Sequence, residues 1–184
     1  MGGWAGRAKP VVRKGYSLIE LLVVLAMLFI MTLVGLPLFT ATLQNSRLDA
    51  AARQIAGDIR EARAKATLTG WQYRLVGFNV GGGQAAKNQY RLLGRSSGAV
   101  AWPADSSGSF QSATQMAGAW INFNQLYQGV SLNPANSSPS FYVSFNSQGV
   151  AFEWDPSINP LSIAHQSGGS RSVSITSAGS VRIQ

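Results

Sequence analysis

Polar and apolar positions change rhythm twice along this chain. From Leu21 to Phe39 it reads LLVVLAMLFIMTLVGLPLF, nineteen residues without a charge. At ~1.5 Å per residue such a run makes a helix of about 28 Å, close to the ~30 Å hydrocarbon core of a bilayer. A buried core helix is the alternative, although such helices rarely stay apolar on every side for this length. A cleaved secretory signal fits poorly, because its apolar region is about 7–15 residues and here Val34 to Phe39 continue the run. After Phe39 the pattern narrows to a stripe. Leu48, Ala52, Ile55, Ile59, Ala62 and Ala66 recur at spacings of three and four, while Arg47, Asp49, Arg53, Asp58, Arg60, Glu61, Arg63 and Lys65 occupy the other faces. Asp49 with Arg53, and Glu61 with Lys65, are acid-before-base pairs four apart, each worth a few tenths of a kcal/mol to a helix. The two stretches predict one helix from about Tyr16 to about Leu68, stopped by Gly70 and about 80 Å long. Gly35 and Pro37 lie inside it. Proline removes a backbone hydrogen bond and clashes with the preceding turn, so a kink or a locally meltable stretch is expected there.

Beyond Gly70 the helical period gives way to short runs rich in aromatic and β-branched residues. Candidate strands are 71–78, 89–93, 120–123, 141–145, 150–154, 161–165, 172–176 and 180–183. Asn146-Ser147-Gln148-Gly149 and Ser177-Ala178-Gly179 read as hairpin turns, and 103–118 and 133–140 as surface loops. The expected fold class is α+β: a long N-terminal helix, membrane-embedded in its first half and amphipathic in its second, packed on a C-terminal antiparallel sheet. The expected segments are 1–15, a basic leader; 16–39, the membrane half of the helix; 40–68, its amphipathic half; and 69–184, a β-rich head.

Charge then separates these segments. Fifteen Lys and Arg against seven Asp and Glu give a net +8. Half of that sits in residues 1–15, where Arg7, Lys9, Arg13 and Lys14 face no acid; 16–70 contribute +1 and the remainder +3. A basic block directly before an apolar run predicts a cytoplasmic N-terminus with the rest of the chain outside. The anionic-partner reading that such a charge invites therefore falls to the +3 of the head, a value normal for a solvated surface.

Candidate chemistry is sparse. The sequence has no cysteine, which excludes disulfides, thiolate metal sites and a cysteine nucleophile. His165 is the lone histidine and reads as structural. Glu153 and Asp155 flank Trp154, but two acids are few for the six to eight oxygen ligands of calcium. Gly81-Gly82-Gly83 lacks the Lys-Ser/Thr of a phosphate loop and reads as a connection. No nucleophile, base and orienting acid assemble, so neither enzymatic activity nor a cofactor or metal is expected.

The junction Lys14-Gly15-Tyr16-Ser17-Leu18-Ile19-Glu20, followed by LLVVLAMLFI, resembles the class III signal of type IV pilins and type II secretion pseudopilins, with Tyr16 standing where phenylalanine is usual. The resemblance implies that a prepilin peptidase cuts between Gly15 and Tyr16 and that the new amine of Tyr16 is methylated. Glu20 then takes the family's glutamate position, the fifth of the mature chain, and Pro37 that of its kinking proline. Physical reasoning runs alongside. Glycine offers an unhindered scissile bond. An acid at the edge of an apolar helix is costly unless paired, which makes Glu20 a functional candidate; its natural partner is the cationic N-terminal amine of a neighbouring subunit. The alternative is a glutamate facing cytoplasmic water.

The end of the chain, FNSQG and then RSVSITSAGSVRIQ, is similar to that of the GspH/FimT family of minor pseudopilins and minor pilins, through Phe145, Gly149, Val173, Ile175, Gly179, Val181 and Ile183. Ser180 stands where many members carry a basic residue. This narrower resemblance implies a subunit of a type IV pilus or type II secretion pseudopilus, at or near the tip and priming assembly. Its partners would be the prepilin peptidase, other major and minor pilins or pseudopilins, an inner-membrane assembly platform and the membrane, with the head periplasmic. The alternative it implies is a minor pilin that binds DNA for uptake, with Arg171 and Arg182 on one phosphate-binding edge joined by Arg74, Arg91 or Arg95. A single-pass anchored periplasmic protein outside any filament is the third reading.

Overall fold

The computed structural model describes residues 15–78, 88–104, 107–134, 140–155 and 159–184, without the side chains of 34–38, 133 and 134. The basic residues of the leader and the run Gly81 to Gly83 lie outside the described residues. In chain order the elements are α1 (Leu18–Thr69), β1 (Gln72–Phe78), β2 (Gln89–Arg95), β3 (Phe110–Gln111), β4 (Gln115–Ala117), β5 (Ile121–Asn122), α2 (Phe123–Leu126), β6 (Val130–Pro134), β7 (Ser140–Phe145), β8 (Ala151–Trp154), β9 (Leu161–His165), β10 (Ser170–Ile175) and β11 (Val181–Ile183).

The predicted helix is present as α1, continuous through positions 35 and 37; the side chains there, and with them the expected kink, lie outside the described residues. Ser17 O accepts from the N–H groups of Glu20 and Leu21 and opens the first turn. At the other end Gly70 takes φ +72 and its N–H donates to Ala66 O at 3.1 Å, the left-handed stop that glycine adopts without a Cβ clash. The chain divides into two compact units, Met1–Ala41 and Thr42–Gln184. In the first, the described apolar side chains from Leu18 to Leu33 are exposed. Among the described residues no helix is long and apolar enough to cross a membrane. The run 21–39 includes 34–38, whose side chains lie outside the described residues.

The second unit holds the core. Leu48, Ala52, Ile55, Ile59, Ala62 and Ala66, the predicted stripe, are fully buried together with Ala51 and Ala56. Two antiparallel sheets cover the stripe: a large one in the order β3-β4-β2-β1-β7-β8, with β5 also on β2, and a small one in the order β11-β10-β9-β6. Alternation along the strands selects the helix-facing side chains. Tyr73, Leu75, Tyr90, Phe141, Val143 and Phe145 come from the large sheet, and Leu132, Leu161, Ile163, Val173 and Ile175 from the small one. On the other face of the large sheet Val76, Phe78, Leu93 and Ala117 form a second cluster under Trp102, Trp120 and Tyr142.

Several sequence expectations need correction. The segment 103–118 is not all loop, because β3 and β4 pair there and extend the large sheet from β2. The strand expected at 120–123 shrinks to Ile121–Asn122. Asn122 caps α2 instead, its side chain accepting from Asn124 N–H at 2.9 Å, and Phe123 enters the core as the first helical residue. Strand β6 was not expected, and it overlaps the start of the supposed loop 133–140. Polar Ser131 and Asn133 weakened its apolar signal.

Both predicted hairpin turns are present, and they meet. Gly149 (φ +74) and Gly179 (φ +76) each donate N–H three residues back, to Asn146 O and Thr176 O at 2.8 Å. A Cβ on Gly179 would lie 2.8 Å from Gly149 O and 3.1 Å from Arg63 Nε, and one on Gly149 would lie 2.8 Å from Thr67 Cγ2. Arg63 Nη1 donates to Gly179 O at 3.3 Å, and Arg60 Nη2 to Val181 O at 3.3 Å. The helix thus gathers one turn from each sheet.

Asn88 is a second tie. It is buried with φ +64, a conformation that asparagine tolerates better than most residues. Its Nδ2 donates to Val130 O (2.8 Å) and Asn124 Oδ1 (2.9 Å), and its Oδ1 accepts from Leu132 N–H (2.7 Å). One side chain therefore links the β1–β2 connection to β6. Asn88→Ala should cost about 2–4 kcal/mol by denaturant unfolding, because it strands two buried main-chain groups and keeps the positive φ. Asn88→Gly should cost less than alanine, since it relieves the backbone share; equal costs would place the whole effect in the side chain.

Candidate functional sites

The N-terminal residues singled out from the sequence lie at the start of α1. Among the described residues nothing lies within 4 Å of the position a Cβ on Gly15 would take. Tyr16 is exposed, and Glu20 sits in the first helical turn, where the N-terminal end of the helix dipole favours an acid by about 0.3–1 kcal/mol. Positions four apart share a helix face. Glu20 and Val24 accordingly line one shallow patch of about 290 Å³ with Leu21 and with Tyr16, which precedes the helix. Among the described residues no cation pairs with the Glu20 carboxylate.

The five arginines offered as one anion-binding edge are not brought together. Arg171 shares strand parity with Val173 and Ile175, so it faces the helix, where its Nε meets Asp49 Oδ1 at 2.7 Å. Asp49 thereby pairs with Arg171 across the fold, where the sequence suggested Arg53. Arg182 is exposed and stands opposite Ser174 in the register, on the other face of the same small sheet. Arg74, Arg91 and Arg95 belong to the large sheet, on the face turned away from the helix. Arg74 lies between the Trp102 and Tyr142 rings (4.4 and 4.5 Å), bonds Ser144 Oγ at 2.8 Å and pairs with Glu153. Arg95 stacks on Trp102 at 4.3 Å; its burial, and then the positive charge of Arg74, lower its pKa, with Glu153 opposing. Arg91 is fully buried, stacks on Trp120 at 4.4 Å and donates to Ala104 O and Ser107 O. Sequence reading missed this layer of arginine against tryptophan. Its signal was present: Arg74 shares parity with Val76 and Phe78, and Arg91 and Arg95 with Leu93, so all three lie on a covered face.

Glu153 is thus an ion-pair partner of Arg74. Among the described residues no group of three or more His, Asp or Glu is placed to hold a metal ion. His165 Nδ1 accepts from Ser167 N–H at 3.1 Å within the β9–β10 turn, and its ring leaves no room for a Cβ on Gly129.

A concavity of about 340 Å³ runs between the second half of α1 and the β4–β5 edge. Leu75, Leu92, Met116 and Ile121 form its floor, while Asp58 and the Glu61–Lys65 pair (2.7 Å) form one rim. The Tyr90 hydroxyl donates to Asp58, which also accepts from Gln54 Nε2 at 3.0 Å. Burial, reinforced by the Asp58 carboxylate, raises the Tyr90 pKa, and the same causes raise that of Tyr127.

No protein-family model matches this chain, and no curated protein is significantly similar to it. Among solved structures it is similar to the crystal structure of the type IV minor pilin FimU of Pseudomonas aeruginosa strain PAO1. The match has a TM-score of 0.46 and 13% identity, and covers 76% of this chain and 90% of that one. That is a loose likeness in both fold and sequence.

The Tyr90 shift carries a sign. A tyrosine whose folded pKa exceeds its unfolded value of about 10 keeps its proton in the folded state after the unfolded chain has lost it. Its contribution is therefore complete below pH ~10 and is lost as pH rises further. Thermal melts between pH 8 and 11.5 should show stability falling above pH 10. Tyr90→Phe should flatten that fall, leaving the smaller slope due to Tyr127, and should cost about 1–2 kcal/mol at pH 7 for the lost bond to a carboxylate.

Proposed function

We propose that this chain is a minor pilin or pseudopilin, a structural subunit of a type IV pilus or type II secretion pseudopilus, made as a membrane-anchored precursor. The observation that carries the reading is the asymmetry of α1. It is one continuous helix whose second half has an apolar stripe fully buried under two sheets, while the apolar side chains of 18–33 are exposed. A fold with its own finished core has no internal use for that exposed surface. Lipid covers it in the precursor, and the helices of neighbouring subunits cover it in a filament.

In this reading a prepilin peptidase cuts between Gly15 and Tyr16 on the cytoplasmic side of the inner membrane, and the Tyr16 amine is methylated. The helix waits in the membrane with its head in the periplasm until an assembly platform extracts it. The Glu20 carboxylate then meets the cationic amine of a neighbour and sets axial register, since a buried acid needs such a partner. A place at or near the tip, where the subunit primes assembly, follows from the similarity of the C-terminal residues to minor subunits. DNA uptake is not part of the proposal, because Arg171 is bonded to Asp49 and Arg182 stands on the opposite face of its sheet.

Two variants test this, and neither disturbs an internal contact. A Cβ on Gly15 meets nothing within 4 Å among the described residues, so Gly15→Leu displaces no described neighbour. Intact mass should show wild type beginning at methylated Tyr16 and Gly15→Leu retaining residues 1–15; a variant mass beginning at Tyr16 would remove the assigned signal. Glu20→Val should be processed normally yet be absent from sheared filaments, and normal incorporation would count against the register mechanism.

A further inference from the structure

Ion pairing leaves Asp58 without a cation. Among the described residues Asp49 meets Arg171, Glu61 meets Lys65 and Glu153 meets Arg74. Asp58 takes only neutral donors there: the Tyr90 hydroxyl, and Gln54 Nε2 at 3.0 and 3.1 Å from its two oxygens. These bonds fix where the carboxylate points without cancelling its charge. After burial, that charge is what raises the pKa of Tyr90 and of Tyr127. Asp58 stands on the rim of the concavity between α1 and the β4–β5 edge, above a floor of Leu75, Leu92, Met116 and Ile121. Glu61, three positions on, shares its helix face. Lys65, which pairs with Glu61, is seven positions and so about 10 Å along the helix from Asp58. The groove therefore joins an apolar floor to a positioned, unneutralised acid. Its volume of about 340 Å³ lies near the lower end of the ~300–1,000 Å³ usual for small-ligand pockets.

We infer that this groove takes a lysine side chain of a neighbouring polypeptide, its aliphatic stem along the apolar floor and its ammonium on Asp58. Charge and shape select that occupant together. An unneutralised carboxylate beside apolar surface calls for a cation on an apolar stem, which is how a lysine is built. A carboxylate has about four acceptor sites, and the bonds from Tyr90 and Gln54 occupy three of them. The space that remains suits a point donor better than the two-pronged guanidinium of arginine. A bare metal ion is poorly served, because among the described residues no three possible ligands gather. An anionic lipid or nucleic acid would meet the two acids of the rim. That the neighbour is a filament subunit rests on the function proposed above; the ammonium site does not.

Met116 lies on the floor, so its methyl group reports on the groove directly. The full-length chain, carbon-13-labelled at its methionine methyls and held in detergent micelles, is titrated with an acetylated, amidated peptide Ala-Leu-Lys-Leu-Ala. Met116→Leu identifies the signal among the four methionines. The expected result is a saturable shift of the Met116 methyl. Norleucine in place of the peptide's lysine keeps the stem, removes the charge and should weaken binding about tenfold. Asp58→Asn, whose amide oxygen still accepts from Tyr90, should weaken it by about as much. Glu61→Gln leaves the Tyr90 bond untouched, should weaken binding about threefold and covers the case in which Asp58→Asn disturbs the fold. No shift, or a norleucine peptide that binds as well as the lysine one, overturns the proposal. Butylamine acting at the same concentration as the peptide would overturn the polypeptide occupant, since the rest of the peptide would then contribute nothing. The titration uses no filament, so absence of processed wild-type protein from sheared filaments would sink the filament reading alone.

Discussion

Each of the two sheets buries one apolar face against α1, so the main core of the head does not exist without the helix. The helix meets that demand with a stripe in which Ala51, Ala52, Ala56, Ala62 and Ala66 alternate with Leu48, Ile55 and Ile59. Alanine suits the position for two reasons. It is the best helix former, and it lets the large side chains come from the strands, where Phe141, Phe145, Tyr73 and Tyr90 fill the space above it. A larger residue at an alanine site would push a sheet outward and pull apart the junction at Arg63, where both glycine turns already sit at contact distance.

The charge follows from the same economy of space. Residues beyond 70 carry six cations, yet Arg74, Arg91 and Arg95 are spent on aromatic rings and main-chain carbonyls, and Arg171 on Asp49. Arginine does this well because its planar guanidinium stacks and donates in several directions at once. A basic composition therefore says little about an anionic partner here, because most of the head's arginines are internal fasteners.

How much of this was legible beforehand depended on the kind of signal. The helix, its stripe and its stop at Gly70 follow a period of 3.6 over many residues, and local physics sets them almost alone. The hairpin turns at Gly149 and Gly179 were equally plain, because a left-handed glycine marks its own position. What failed to show was everything decided by partners distant in sequence. Strands β3 and β4 are too short and polar to be seen without β2 beside them. Asn88 looks like any loop asparagine until β6 comes to rest against it. Asp49 pairs with Arg171 and not with the nearer candidate Arg53, because β10 brings Arg171 there. At the other end of the chain, the start of the helix beside Glu20 could be read directly, since the apolar run that follows it is set by local sequence alone.

The junction at Arg63 also sets an order of events. The helix is synthesised before every strand of the head, and Gly179 and β11, which close over it, come after all the others. Until Val181 has emerged, the small sheet lacks its edge strand and Arg60 lacks its carbonyl partner. Contacts this distant along the chain form slowly and leave apolar surface open in the interval. The scaffold of the head is thus made before the strands that bury it, and the apolar stripe of the helix stays uncovered until they arrive.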